Sequence, residues 1–292
     1  MTTNQPNAAL VSDIREVTRA ETEELWANGW VRLPGLLGPA LAGELLRRAQ
    51  ILMGAGGDRN RLRAGFDFDT SQSSQPFRRP SASDPLFGAV TRSPRLGRNA
   101  ALLLGRDCAQ RFFDDALLVK LPVSRRPDRG KALDWHADTN PTDRMWIFFW
   151  IALDQVRPDQ GGVRYLTGSH QLGPMWRGGA CIPLAQAYDI APRLRACPMS
   201  DPVQAEPGDV IAHCSSVVHG TDANTGTAPR WVHRVTYFPA DAVYLGVPSP
   251  TITERGIRPF EVMDHPDFPV VYRPAGGGQD ASALHVRRYH RD

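Results

Sequence analysis

The chain has 292 residues, with 34 Lys+Arg against 31 Asp+Glu, a formal charge of +3, 41% hydrophobic residues and a mean hydropathy of −0.35. These values describe an ordinary globular protein and exclude a disordered chain or a strongly basic nucleic-acid binder. The most apolar uninterrupted run, Met145 to Leu153, is far shorter than the roughly 20 residues of a membrane-spanning helix. The N-terminus lacks the charged-then-apolar layout of a signal peptide, so a soluble cytoplasmic protein is expected, with no membrane or nucleic-acid partner.

The first dozen residues are polar and expected to fray. A short acidic helix is predicted from Arg19 to Asn28, then a strand over Trp30–Pro34. Pro39 opens a second helix with Leu41, Leu45, Ala49 and Leu52 on one face. The polar stretch from Gly54 to Pro85 has almost no periodicity and reads as long loops. A further helix is predicted from Leu96 to Leu104, ending at Gly105. Beyond it, Ala116–Leu121, Trp146–Leu153, Val163–Leu166, Val210–His213 and Trp231–Phe238 are short strand-like runs divided by turns, without intervening helices. That pattern predicts a sandwich or barrel rather than a parallel sheet. The tail from Tyr244, rich in Pro and Gly, reads as loop wrapping the body. The four cysteines, Cys108, Cys181, Cys197 and Cys214, are scattered without a CxxC and read as inert thiols.

Chemistry concentrates in two places. In Trp135-His136-Ala137-Asp138 a strand would present His136 and Asp138 on one face, because positions i and i+2 share a side. With a third ligand from elsewhere they make the two-histidine, one-carboxylate set of non-haem Fe(II) oxygenases, which leaves open positions on the metal. The spacing alone is weak, since His265-Pro266-Asp267 repeats it. His265, however, sits in the Pro/Gly-rich tail and reads as a surface-loop histidine. The second place is Gly208-Asp209 through His219-Gly220-Thr221-Asp222-Ala223-Asn224, followed by Pro229-Arg230. Here His219 is predicted to end a strand and Arg230 to begin its antiparallel neighbour. A guanidinium suits the far carboxylate of a dicarboxylate because its planar fork pairs with both oxygens. His213, six positions before His219, would share its strand face; without the Gly-Thr and Arg that follow His219, it reads as structural. His170, in a Gly-Ser-His turn, reads as structural too. Arg234 shares a strand face with Arg230 and competes with it as a co-substrate contact.

This combination resembles the phytanoyl-CoA dioxygenase family. Glu24–Leu37, Val119-Lys120-Leu121-Pro122, Trp150–Asp154 with Gly161-Gly162-Val163, and Leu166-Thr167-Gly168-Ser169-His170 also resemble segments of that family, with Thr167 where proline is usual. The resemblance covers roughly residues 20 to 240. It implies a mainly β fold: a double-stranded β-helix, or cupin-like jelly roll, with packed N-terminal helices. The whole chain is then expected to be one oxygenase domain over 1–292, with 241–292 as a C-terminal extension. It further implies His136, Asp138 and His219 as iron ligands, with Fe(II), 2-oxoglutarate and O2 as cofactor and co-substrates. Arg230 and Thr221 match the residues that hold the 2-oxoglutarate far carboxylate, and Trp150 and Lys120 match positions lining that pocket. Trp150 also suits the core, and Lys120 a snorkelling strand lysine. Asp138 argues against halogenation, since halogenating relatives lack that carboxylate.

The expected reaction is oxidation of a small organic molecule, with hydroxylation as the default and epimerisation, desaturation or oxidative cyclisation as alternatives. All but two of the basic residues are Arg, which suggests a GC-rich bacterium and a secondary-metabolite intermediate as substrate. Its expected lining is 65–80 with Phe66, Phe68, Gln75 and Phe77, the 125–131 loop, Trp135, Trp176 and the tail from Tyr244. The competing reading is a cupin-like metal-binding isomerase or non-catalytic metal-binding module, which would need no Arg230.

Overall fold

The computed structural model describes residues 9–58, 73–173 and 180–275. Its first long helix, α1 (Arg19–Asn28), starts at a capping box in which Thr18 and Glu21 satisfy each other's backbone N–H. It stops at Gly29, whose φ of 82° suits glycine and whose missing Cβ leaves room for the His170 ring. Strand β1 (Trp30–Leu33) follows, then α2 (Pro39–Met53), β2 (Gln75–Arg78), α3 (Pro85–Thr91) and α4 (Pro94–Leu103). Pro39, Pro85 and Pro94 each occupy a first helical turn, where their lack of an N–H costs nothing. The α2 stripe is Leu41, Ala42, Leu45, Ala49 and Met53, with Leu52 only half-buried beside it.

The β half comprises β3 (Gln110–Lys120), β4 (Leu133–His136), β5 (Ile147–Ala152), β6 (Val163–Tyr165), β7 (Val210–Cys214), β8 (His219–Thr221), β9 (Arg230–Pro239) and β10 (Val270–Tyr272). All pairings are antiparallel. The large sheet runs β1-β7-β5-β9-β3-β10, with β2 also on β3, and the small sheet runs β4-β8-β6. Helices form a layer against one face of the large sheet, where Leu45, Phe87, Leu96 and Leu103 share a core with Phe149, Ile151, Trp231 and Val235. Every residue of β5 is buried because both its faces are covered. Odd residues meet the helices, and Phe148, Trp150 and Ala152 turn inward. This is the expected jelly-roll class. Among the described residues no helix is long and apolar enough to cross a membrane.

The structure differs from the sequence reading in several places. The 54–85 stretch is not all loop: β2 and a helical turn at Pro80–Ser83 lie in its described part, and 59–72 is outside the described residues. Their short length gives no periodicity to detect. A helix, α5 (Leu184–Ile190), does interrupt the later strands. The tail beyond Tyr244 contributes β10 and a buried cluster of Ile252, Ile257, Met263 and Phe268 against Trp146, Phe148 and Phe238. Of the dozen residues expected to fray, 1–8 lie outside the described residues, while Leu10 and Val11 pack, partly buried, against the helix-side core.

Asp115 and His233 form a fully buried pair in the layer between large sheet and helices, 2.9 Å apart. The Asp115 carboxylate also accepts from the Ser81 hydroxyl and backbone N–H, at 2.6 and 3.1 Å. Asp115→Ala strands three buried donors, and a loss of about 3–5 kcal/mol is expected in urea unfolding.

Candidate active site

The small sheet brings two imidazoles side by side, tilted at 48° to each other. His136 ends β4, His219 begins β8, and the two are register partners. Their ring centroids lie 4.3 Å apart. Asp138 stands two residues beyond the end of β4, so it reaches the site from the following loop and not from the strand as expected. The ligand atoms of His136, Asp138 and His219 all lie within 4.8 Å of one another, the one such grouping among the described residues.

Local hydrogen bonds fix the ring tautomers. His136 Nδ1 donates to the Asp134 carbonyl at 3.0 Å, and His219 Nδ1 donates to the Val217 carbonyl at 3.1 Å. Each Nε2 therefore keeps its lone pair for the centre of the cluster. Burial pushes the His219 imidazole down to about 4, overcoming the pull of Asp138, so it is neutral at pH 7. Burial also works against an ionised Asp138, but the hydrogen bond from His213 and the surrounding imidazoles prevail and hold its carboxyl well below the usual range. Two imidazole nitrogens and one carboxylate oxygen make a donor set that fits Fe(II).

His213 is not on the strand of His219. It lies on β7 in the large sheet, and Ser215 to Val218 carry the chain across to β8 in the small one. The six-residue spacing thus spans two sheets. From the opposite wall His213 Nε2 donates to Asp138 Oδ2 at 3.0 Å, while its Nδ1 accepts from the Tyr165 hydroxyl at 3.0 Å. The ring stacks on Phe148 with centroids 5.3 Å apart. His213 is structural as expected, but what it positions is the carboxylate of the cluster. Tyr165 was not identified from the sequence, because an isolated strand tyrosine reads as core. His170 is structural too, donating from Nε2 to the Trp26 carbonyl.

A second polar group lies at the start of β9. β9 pairs with β3 and β5, not β8, so Arg230 and His219 approach from different sheets rather than adjacent strands. Arg230 is buried; it donates from Nη1 to the Gly161 carbonyl, and its guanidinium carbon lies 5.0 Å from the Trp150 ring centroid. Gly161 has φ 68°, and a Cβ there would strike the Asp222 carbonyl, so glycine is needed to present that acceptor. Arg230 Nε is buried without a partner. Burial lowers Arg230 to about 9, which leaves it cationic at neutral pH. Lys120, its register partner on β3, donates to the Thr221 and Ser73 hydroxyls. Burial, then the nearby Arg230, pushes Lys120 down to about 6. Asn224 ties this corner together, donating to the Lys120 and Ala228 carbonyls and accepting from Gly226 N–H.

Between the sheets lies a cavity of about 680 Å³ whose walls include His136, Asp138, His219, Thr221, Trp150 and Arg230. Lys120 is not on its wall and meets it through Thr221 and Ser73, which are. Of the expected lining, the 65–80 stretch contributes Ser73, Ser74 and Arg78, and the tail contributes Pro248, Ser249, Thr251 and Glu254. Phe66, Phe68 and Trp176 lie outside the described residues. Phe77 packs against the helix-side core and Trp135 against Leu166 and Leu194, so neither reaches the cavity. Gln75 and the 125–131 loop do not line it either; Gln75 alternates with Arg78 on opposite faces of β2, and Arg78 takes the inner one.

A family model of phytanoyl-CoA dioxygenase (PhyH) matches residues 26–232. Among solved structures, the chain is similar to the non-haem α-ketoglutarate-dependent carbocyclase SnoK from nogalamycin biosynthesis, with 22% identity, coverage of 87% of this chain and 96% of that one, and a TM-score of 0.69. It is similar to the epimerase SnoN in complex with Fe3+, α-ketoglutarate and nogalamycin RO, with 19% identity, coverage of 86% and 97%, and a TM-score of 0.68. EctD from S. alaskensis, with 2-oxoglutarate and 5-hydroxyectoine, matches at 19% identity, with coverage of 90% and 89% and a TM-score of 0.62. At these identities the likeness is one of fold. A comparison with curated proteins finds no match.

Because His219 is depressed from 6.5 to about 4, its unfolded form takes up a proton in that window while the folded form does not. Stability of the metal-free protein is therefore whole above pH 6.5 and falls as pH drops toward 4, by roughly 3 kcal/mol from this group. Urea unfolding across that range is expected to show a shallower pH slope in His219→Gln than in the wild type.

Proposed function

The chain belongs to the phytanoyl-CoA dioxygenase family of non-haem iron, 2-oxoglutarate-dependent oxygenases, and from that premise we propose that His136, Asp138 and His219 hold its iron and Arg230 its co-substrate. The observation that carries the assignment is the convergence of three ligand atoms within 4.8 Å, with both histidine tautomers set to offer Nε2. Bound there, iron with 2-oxoglutarate and O2 supplies the oxidising power, consuming the co-substrate to succinate and CO2 while a substrate C–H bond is oxidised.

The protein's own residues divide the remaining work. Arg230, still lacking a partner on Nε, takes the far carboxylate of 2-oxoglutarate, and the Thr221 hydroxyl supports it. Trp150 covers the guanidinium and excludes water from the pairing, which strengthens it. Lys120 holds Thr221 in place; with its ammonium weakened by burial, it does so without crowding a second full charge against Arg230. His213 keeps one oxygen of Asp138 engaged and so orients the carboxylate. The substrate is a small organic molecule, in our reading an intermediate of bacterial natural-product biosynthesis. Hydroxylation is the default outcome, and epimerisation, desaturation or cyclisation are variants of it. Residues 1–292 act as one oxygenase domain with 241–292 as an extension that lines the substrate cavity.

Anaerobic addition of Fe(II) and 2-oxoglutarate is expected to give a weak visible charge-transfer band. Asp138→Ala should lose it by losing metal. Arg230→Ala should keep the metal and bind 2-oxoglutarate roughly 10-fold or more weakly. A wild-type protein that binds metal but shows no band would favour a metal-binding isomerase or silent module, and absence of metal binding would overturn the assignment.

A further inference from the structure

Register lines up one row of side chains across the large sheet. Asp114 of β3 faces Thr236 of β9, Thr236 faces Phe148 of β5, and Phe148 faces His213 of β7. Facing residues of antiparallel strands share a side, and all four line the cavity. The row therefore runs from a carboxylate at one end to His213 at the other, the residue that holds Asp138 Oδ2 at 3.0 Å. Adjacent strands are about 4.8 Å apart, so three steps separate the backbones of the two ends by roughly 14 Å. A bulge between Phe112 and Asp114 lets Phe113 join the cavity wall next to Asp114, and its ring lies 4.6 Å from that of Trp146. Phe148, with Phe113 and Trp146 also on the wall, makes the surface between the ends apolar.

The carboxylate end is incomplete. Arg234 donates from Nη2 to Asp114 Oδ2 at 2.8 Å and from Nη1 to the Thr236 hydroxyl at 3.1 Å, so one oxygen of Asp114 is held and its charge is matched. The other, Oδ1, is buried and has no hydrogen-bond partner among the described residues. A buried carboxylate oxygen without a donor is costly. What it lacks is a hydrogen and not a counter-charge: an ammonium placed there would stand within a few ångströms of the Arg234 guanidinium and be repelled. A hydroxyl supplies the hydrogen without the charge.

We propose that Asp114 anchors the substrate through a hydroxyl group. A neutral molecule with a flat apolar body lies along the row, its O–H donating to Asp114 Oδ1, its ring system on Phe148 and its far edge beside the metal ligands. The inference rests on the oxygenase reading above and adds to it both a substrate class and a direction. The C–H bond to be oxidised lies at the end of the molecule remote from the anchoring hydroxyl, because Asp114 and His213 close opposite ends of the row. Asp114 thus determines specificity, and Arg234, braced by Thr236, positions it.

The test uses protein loaded anaerobically with Fe(II) and excess 2-oxoglutarate, titrated by calorimetry with 6-methyl-2-naphthalenemethanol, its methyl ether and the corresponding naphthylmethylamine. The alcohol is expected to bind roughly 10-fold or more tightly than its ether, and the protonated amine no more tightly than the ether. Asp114→Leu should erase the preference for alcohol over ether. In proton NMR of the bound alcohol, the paramagnetic metal should relax the ring methyl protons faster than the carbinol protons at the other end. Equal binding of alcohol and ether by the wild type, tightest binding of the amine, or no binding of the alcohol at millimolar concentration would overturn the proposal. So would survival of the preference in Asp114→Leu, or faster relaxation of the carbinol protons. The ligand and relaxation comparisons on the wild type stand whether or not the variant folds. The visible band, recorded on the same sample, reports separately on the iron and 2-oxoglutarate reading.

Discussion

An ionised, half-buried carboxylate set among imidazoles is the constraint on which the rest of this structure depends. Asp138 lies outside regular structure, in the loop after β4, where nothing in the ladder of the small sheet fixes its side chain. Left alone it would be expensive to bury, and it would drift from the pair of histidines that β4 and β8 hold in register. His213 removes both problems from the opposite sheet. Its hydrogen bond to Oδ2 stabilises the charge and sets the rotamer, and the Tyr165 hydroxyl on its other nitrogen sets the tautomer needed to donate. The two sheets are thereby coupled through the site itself, and packing of Tyr165 on Trp30, stacked at 4.8 Å, extends that coupling to the edge strand of the large sheet.

The opposite corner solves a like-charge problem. Arg230 and Lys120 are register partners in a region from which water is largely excluded, and two full cations there would repel strongly. The site relieves this by letting lysine, whose ammonium yields readily to burial, carry less of the charge while arginine keeps its own. Such a corner, with one full cation, is matched to a single incoming carboxylate and ill suited to a neutral ligand. The Gly161 carbonyl and Asn224 make the geometry rigid, which explains why the chain between His219 and Arg230 is rich in small and turn-forming residues.

Much of this was legible in the sequence where chemistry leaves a local signature. The motif residues His136, Asp138, His219, Thr221 and Arg230 do meet around one cavity, and the helix boundaries at Arg19–Asn28 and Pro39 followed from caps and prolines. Pairing was not legible. His213 and His219 look like one strand because the crossing between sheets takes only four residues, and Arg230 looks like the partner of His219 because it follows it along the chain. Arg78 falls within the 65–80 stretch expected to line the site, but β2 was hidden: it is four residues long, so no alternation distinguishes it from loop. Asp114 and Arg234 are separated by 120 positions, and only the register of β3 with β9 joins them.

β9 shows how one strand can serve both faces of the fold at once. Its odd residues Trp231, Val235 and Tyr237 close the core beneath the helices, while its even residues place Arg230, Val232, Arg234 and Thr236 on the inner face. The strand period therefore separates structural from functional selection: a change at an odd position acts on folding, and one at an even position acts on what the cavity binds. Because Arg230 and Arg234 are both even, their spacing is set by backbone rise rather than by flexible loops. A rigid interval of this kind fixes the two guanidinium groups relative to each other, with Val232 between them as a neutral spacer. Slipping the register by one residue would turn both arginines away from the cavity and into the helix-side core. Register of β9 and the placement of both guanidinium groups on the cavity wall are in this way the same physical fact.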